Sequence, residues 1–229
     1  MREFQIDKKI DIPEHVRSIF ITLDCAGFFN DGILVGSWTM LFYQEAFGIE
    51  YVLRTNDIDF ALLPEVSKIK KGPDLEAAFS DQGFDPITDI LSGLQKFLVG
   101  TFEVEFLVHR KGDREEIVMV SKYNVNAQPL PFLDLLFIEP IIVYHPDFKV
   151  RLPSPEALFL HKLIIAQRRK KESKKAKDLE QCATLAPHLD TNRLINIAKE
   201  YRMSRETMRN ILASCETIDY QTDFLRYRL

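Results

Sequence analysis

The sequence predicts an α+β (α/β) protein: a mixed β-sheet with flanking helices over residues 1–150, followed by a helical C-terminal domain over residues 151–229. Three observations predict it. Short strands of period two, above all Asp57-Ile58-Asp59-Phe60 and Phe102 to Val108, are interspersed with segments of helical periodicity in the first 150 residues. From Pro153 onward the apolar spacing is helical throughout. Charge divides at the same place: residues 1–150 carry 14 Lys+Arg against 24 Asp+Glu, a net −10, and residues 151–229 carry 16 against 10, a net +6, together the −4 of the whole chain.

Pro13 to Ala26 places Val16, Ile19, Phe20 and Leu23 at helical spacing, with Gly27 as a C-cap. After the turn Asn30-Asp31-Gly32, Ile33-Leu34-Val35 reads as a buried strand, and Trp38 to Phe47, backed by Gly48, as a buried helix whose N-terminus lies at Gly36-Ser37. Leu53 to Phe60 is the next strand, with Pro64 just beyond it. Asp74 to Asp81 is a short helix, and Gln95 to Val108 two strands joined at Gly100-Thr101. Ile117 to Val120 forms a strand, and Pro129, Pro131 and Pro140 break up the remainder to residue 150. Ser154 caps a helix with Pro155 at its first position and Glu156 complementing the dipole, and Ala157 to Gln167 continues it amphipathically. The basic run RRKKESKKAK follows. Ser173 to Leu185, Asn192 to Tyr201 and Arg205 to Cys215 are three further helices, the last two capped by Thr191 and Ser204.

At 229 residues, 46% hydrophobic and 28% charged, the chain has a globular composition able to bury one sizeable core or two small ones. No apolar run reaches the roughly 18 residues of a bilayer span, and the first residues lack the apolar core of a signal peptide, so a cytoplasmic location without membrane attachment is expected. Cys25, Cys182 and Cys215 are odd in number and widely spaced, which argues against a disulfide framework and a zinc site; each is expected to be a small buried hydrophobe. The five histidines are scattered, and only His161, beside Lys162, stands near other candidate groups.

The chemistry is concentrated around Asp57 and Asp59. Alternation puts both on one face of a strand and Ile58 and Phe60 on the other. Two carboxylates roughly 6 to 7 Å apart repel one another unless a cation sits between them, and hard oxygen ligands suit Mg²⁺ or Mn²⁺. The competing account is an edge strand with hydrated acids. In FEVEFLV, Glu103 and Glu105 oppose an apolar face, and an acid in such a strand is costly to bury unless paired or metal-bound, so Glu105 is the candidate third carboxylate and Glu103 its rival. A strand that runs through Gly36-Ser37 into a helix presents free N–H groups and a positive dipole end to phosphate, although an isolated Gly-Ser also fits a plain N-cap.

A Gly-Ser turn, a helix, an Asp-h-Asp-h strand and a later acidic strand together resemble the polymerase-β-like nucleotidyltransferase superfamily, with 19 residues between Ser37 and Asp57 where compact members have fewer. The stretches LVGSWTMLFYQ, TNDIDFAL, AQPLPFLDLLF, VRLPSPEALFLHKLIIAQRR and KAKDLEQ resemble a prokaryotic nucleotidyltransferase family related to AbiEii-type toxin enzymes. The resemblance implies a nucleotidyltransferase fold and transfer of an NMP from an NTP, ATP among them, with release of pyrophosphate. It also implies Asp57, Asp59 and Glu105 as catalytic metal ligands, Gly36 and Ser37 at the phosphates, Lys162 on the triphosphate and Asp178 near the active site. Arg168 and Arg169 are further phosphate candidates. For Asp178 the alternative is a helix-surface charge paired with a neighbouring lysine. The implied acceptor is RNA, which the basic segment Arg168 to Lys177 favours, a small hydroxylated molecule, or a hydroxyl on a cognate partner protein. A non-catalytic module that kept the fold, and a phosphohydrolase, are the rival classes.

Overall fold

The computed structural model describes residues 1–6, 10–68, 72–110, 112–113 and 115–226. In chain order the strands are β1 (Arg2–Gln5), β2 (Gly32–Val35), β3 (Asp57–Leu62), β4 (Asp85–Thr88), β5 (Gln95–Val99), β6 (Phe102–His109), β7 (Val118–Val120), β8 (Val125–Leu130), β9 (Ile141–His145) and β10 (Phe148–Leu152). The helices are α1 (Glu14–Cys25), α2 (Thr39–Phe47), α3 (Leu75–Ser80), α4 (Pro155–Ala166), α5 (Glu172–Leu185), α6 (Thr191–Glu200) and α7 (Arg205–Thr217).

The larger sheet is mixed, as expected. β2 runs antiparallel to β3, and β3 runs parallel to β6. The other side of β6 is shared: β5 pairs antiparallel with its first half, and β8 pairs parallel with its second half. Phe60 and Phe106 lie in register on the apolar face and stack at 5.9 Å, with Phe28, Phe79 and Phe97 around them. A buried phenylalanine of this kind is worth roughly 3–5 kcal/mol over alanine, so the aromatic layer fixes the register that sets the opposite, acidic face. Buried side chains of the sheet region and of the helical region belong to one continuous hydrophobic cluster.

Several expectations are corrected. The strand expected from Leu53 starts at Asp57 and continues to Leu62. The region expected to be broken by prolines contains β8, β9 and most of β10. Pro129 sits within β8 opposite Val108, where β7 has already ended; among the described residues no strand pairs with its other edge there, the setting in which a strand tolerates a missing N–H. A second sheet, β1-β9-β10, was not foreseen. The cap of α6 is Asp190, which accepts from the N–H groups of Asn192 and Arg193, rather than Thr191. Cys25 is exposed, whereas Cys182 and Cys215 are buried as expected. Helix α4 is buried on nearly every side, not amphipathic, because α5, α6 and α7 all pack on it. Its Glu156 does more than complement the dipole: it accepts from Arg2 at 3.1 Å and from the Asp190 N–H at 3.2 Å. Among the described residues no helix is long and apolar enough to cross a membrane.

Candidate active site

Parallel pairing of β3 with β6 places Asp57 opposite Glu103 and Asp59 opposite Glu105, so four acids share the face opposite the phenylalanines. A cavity of about 510 Å³ opens over this face. Asp57, Asp59 and Glu105 line it and Glu103 does not. Burial, then Glu105, then Asp57 push the Asp59 carboxyl up to about 7, although Lys162 and Lys174 pull it down. Lys96, on β5 opposite Glu105, reaches Glu105 Oε1 at 2.6 Å and Glu103 Oε2 at 2.7 Å.

Gly36 lines the cavity at the end of β2 with φ +74°, and a Cβ there would stand 2.7 Å from Asp59 Oδ2. Only glycine accommodates both that backbone conformation and that approach. The turn that follows, Gly36–Trp38, is 3-10, and α2 begins at Thr39. Ser37 makes no side-chain cap. Its buried hydroxyl instead accepts from Gln181 Nε2 at 2.9 Å, and the same amide reaches the Tyr51 hydroxyl at 2.7 Å. Ser37 therefore ties the turn to α5, while Gly36 faces the cavity.

The opposite wall is cationic. Lys162, Arg168, Arg169 and Lys174 line it, together with His161. Lys162 and Arg169 are both anchored on Asp178, at 2.9 and 2.7 Å. Burial pushes the Asp178 carboxyl up, but Lys162 and Arg169 more than offset it, so it lies below the usual range. Asp178 is thus buried and not a helix-surface charge, and its lysine partner lies 16 residues earlier on α4. It does not line the cavity; it positions two cations that do. Arg168 is held by Glu206 at 2.6 Å. Burial, reinforced by Lys162, pushes His161 down to about 3, which leaves a neutral imidazole on the wall.

A divalent cation fits the acidic side. The donors are hard oxygens, and after burial it is Glu105 and Asp57 that raise the Asp59 carboxyl, a repulsion that a cation would relieve. Among the described residues no three metal-binding side chains are already gathered as a ligand set; Lys96 pairs with Glu105 Oε1, and the second oxygen of a carboxylate can still meet a cation. Sequence reasoning missed Lys96, yet the two-residue turn Gly100-Thr101 dictates that Lys96 pairs with Glu105 across the hairpin. It also missed Gln128 and Phe132 on the cavity wall, for which the alternation in and after β8 carried no chemical signal.

A glycine turn packed on an Asp-x-Asp strand, a third acid in register and a facing cationic wall define the nucleotidyltransferase class. The sequence matches the model of a nucleotidyltransferase family over residues 14–206, well over half of the chain, and the chain belongs to that family of nucleotidyl-transferring enzymes. Among solved structures it is similar to an antigenic nucleotidyltransferase-like protein from Paracoccidioides brasiliensis, at 14% identity over 89% of this chain and 88% of that one, with a TM-score of 0.55. It is also similar to ANT(2'')-Ia, solved with adenylyl-2''-tobramycin, at 15% identity over 82% of this chain and 96% of that one, with a TM-score of 0.46. No curated protein matches the chain.

Proposed function

We propose that this protein transfers a nucleoside monophosphate from an NTP to an RNA hydroxyl and releases pyrophosphate. The observation that carries the proposal is the register of Asp59 with Glu105 beside Asp57, packed against Gly36 and faced by Lys162. Asp57, Asp59 and Glu105 would hold Mg²⁺ or Mn²⁺, which supplies charge neutralisation at the phosphates and lowers the pKa of the acceptor hydroxyl. Gly36 leaves room for the phosphates to approach the backbone. Lys162, kept in place by Asp178, offsets the charge that accumulates on the departing pyrophosphate. Arg169, on the same anchor, adds a second donor.

RNA is favoured over a small acceptor by charge. Arg169, Lys170, Lys171 and Lys174 are exposed in one run beside the cavity, a footprint suited to backbone phosphates. The test is incubation with each α-labelled NTP, Mg²⁺ and total RNA, alongside an Asp57→Asn/Asp59→Asn variant. Label entering RNA, and lost in the variant, is the expected result. Mg²⁺-dependent NTP binding without labelled RNA would overturn the RNA acceptor, and equal labelling by the variant would remove both carboxylates from the reaction.

A further inference from the structure

The cavity has a second end that phosphate chemistry leaves unused. Beyond Glu105 the same sheet face continues with Leu107, whose register partner on β8 is Gln128. From strand rise and spacing, Gln128 stands roughly 8 Å from Glu105. Gln128 lines the cavity, and its amide makes no side-chain hydrogen bond among the described residues. Phe132, on the lining of the same cavity, adopts φ +66°, a left-handed conformation that a bulky side chain takes only where its surroundings impose it. The Arg168 guanidinium lies 5.3 Å from the centre of the Phe132 ring, and Glu206 of α7 holds that arginine. Leu130, Leu133, Leu158 and Ile165 complete an apolar wall.

We infer that this end is a nucleobase subsite, in which the base of the NTP lies against Phe132 and Arg168 and its edge is read by the Gln128 amide. The inference rests on the nucleotidyl-transfer reading above and adds where the base goes. The placement fits: with the phosphates at the carboxylates, Gln128 stands roughly 8 Å away on the same sheet face, where the rest of the nucleotide extends. An aromatic face with a guanidinium stacks any base, while a carboxamide offers the paired donor and acceptor that discriminates base edges. Arg168 thereby serves the base rather than the phosphates.

The experiment measures Kd, with Mg²⁺, for the four NTPs, for inorganic tripolyphosphate and for a short oligoribonucleotide ending in a 3′ hydroxyl, using the unmodified chain and the Phe132→Leu and Gln128→Ala variants. Because Phe132 carries positive φ, denaturation midpoints of each variant are recorded, and Gln128→Ala serves as the variant with no backbone demand. NTPs are expected to bind more tightly than tripolyphosphate. Phe132→Leu should weaken NTP binding roughly 5- to 150-fold, the range that base stacking supplies, and leave tripolyphosphate unchanged. Gln128→Ala should compress the differences among the four NTPs. Equal binding of NTP and tripolyphosphate, or variants without effect on NTPs, would overturn the subsite. Weakened oligoribonucleotide binding with NTP binding intact would assign the ring pocket to the acceptor and overturn it as well. If neither NTP nor tripolyphosphate binds, the transfer reading itself falls, and the subsite with it.

Discussion

Replacing Gly36 by alanine separates backbone strain from contact chemistry, because Gly48 provides a matched control. Both glycines bracket α2 with nearly equal positive φ, +74° and +69°. An L-residue in that region costs roughly 1–2 kcal/mol, so Gly48→Ala should lower stability by about that amount in urea denaturation and Gly36→Ala by at least as much. Their surroundings differ. A Cβ at Gly48 meets nothing within 4 Å, whereas one at Gly36 lies 2.7 Å from Asp59 Oδ2, under the 3.0 Å below which something must shift. The carboxylate or the turn must retreat by several tenths of an ångström. A misplacement approaching 1 Å at a reacting centre costs on the order of 100-fold, so nucleotidyl transfer should fall by one to two orders of magnitude in Gly36→Ala and stay near the starting level in Gly48→Ala. Equal activity of the two variants at equal stability would refute the role assigned to the Gly36 and Asp59 contact.

Two further outcomes follow from the charges. The Asp59 carboxyl is raised from 3.8 to about 7 in the fold, so the folded protein without metal holds a proton that the unfolded chain releases; stability should be full below pH 4 and decline as pH rises to 7, and thermal scans of Asp59→Asn should lack that component. Asp178→Ala leaves Lys162 buried without its carboxylate, at a cost of about 3–5 kcal/mol, whereas Lys162→Met leaves Asp178 its Arg169 partner and should cost less in the same denaturation assay.

Legibility in the sequence followed period and punctuation. The Asp57 and Asp59 face, the Gly100-Thr101 hairpin and the Ser154 cap all rest on local rules that tertiary contacts reinforced. β1 and β9 escaped because four- and five-residue strands pair across more than a hundred positions, and no local pattern encodes such a partner. In the site, the acids were legible because a carboxylate in an apolar strand is locally anomalous. Lys162 and Asp178 emerged through resemblance. Gln128 and Phe132 look ordinary in the sequence; the fold alone gathers them around a cavity.

The parallel pairing of β1 with β9 has a consequence for biosynthesis. Arg2–Gln5 leave the ribosome well over a hundred residues before Ile141–His145 can receive them. At typical elongation rates they wait on the order of ten seconds. Throughout that interval Phe4 lacks the β9 partner it finds in the finished fold, and Arg2 lacks Glu156. Arg2–Gln5 can therefore pair only after the larger sheet has been made, and until then a short extended strand stays open to chaperones and to strands of other nascent chains.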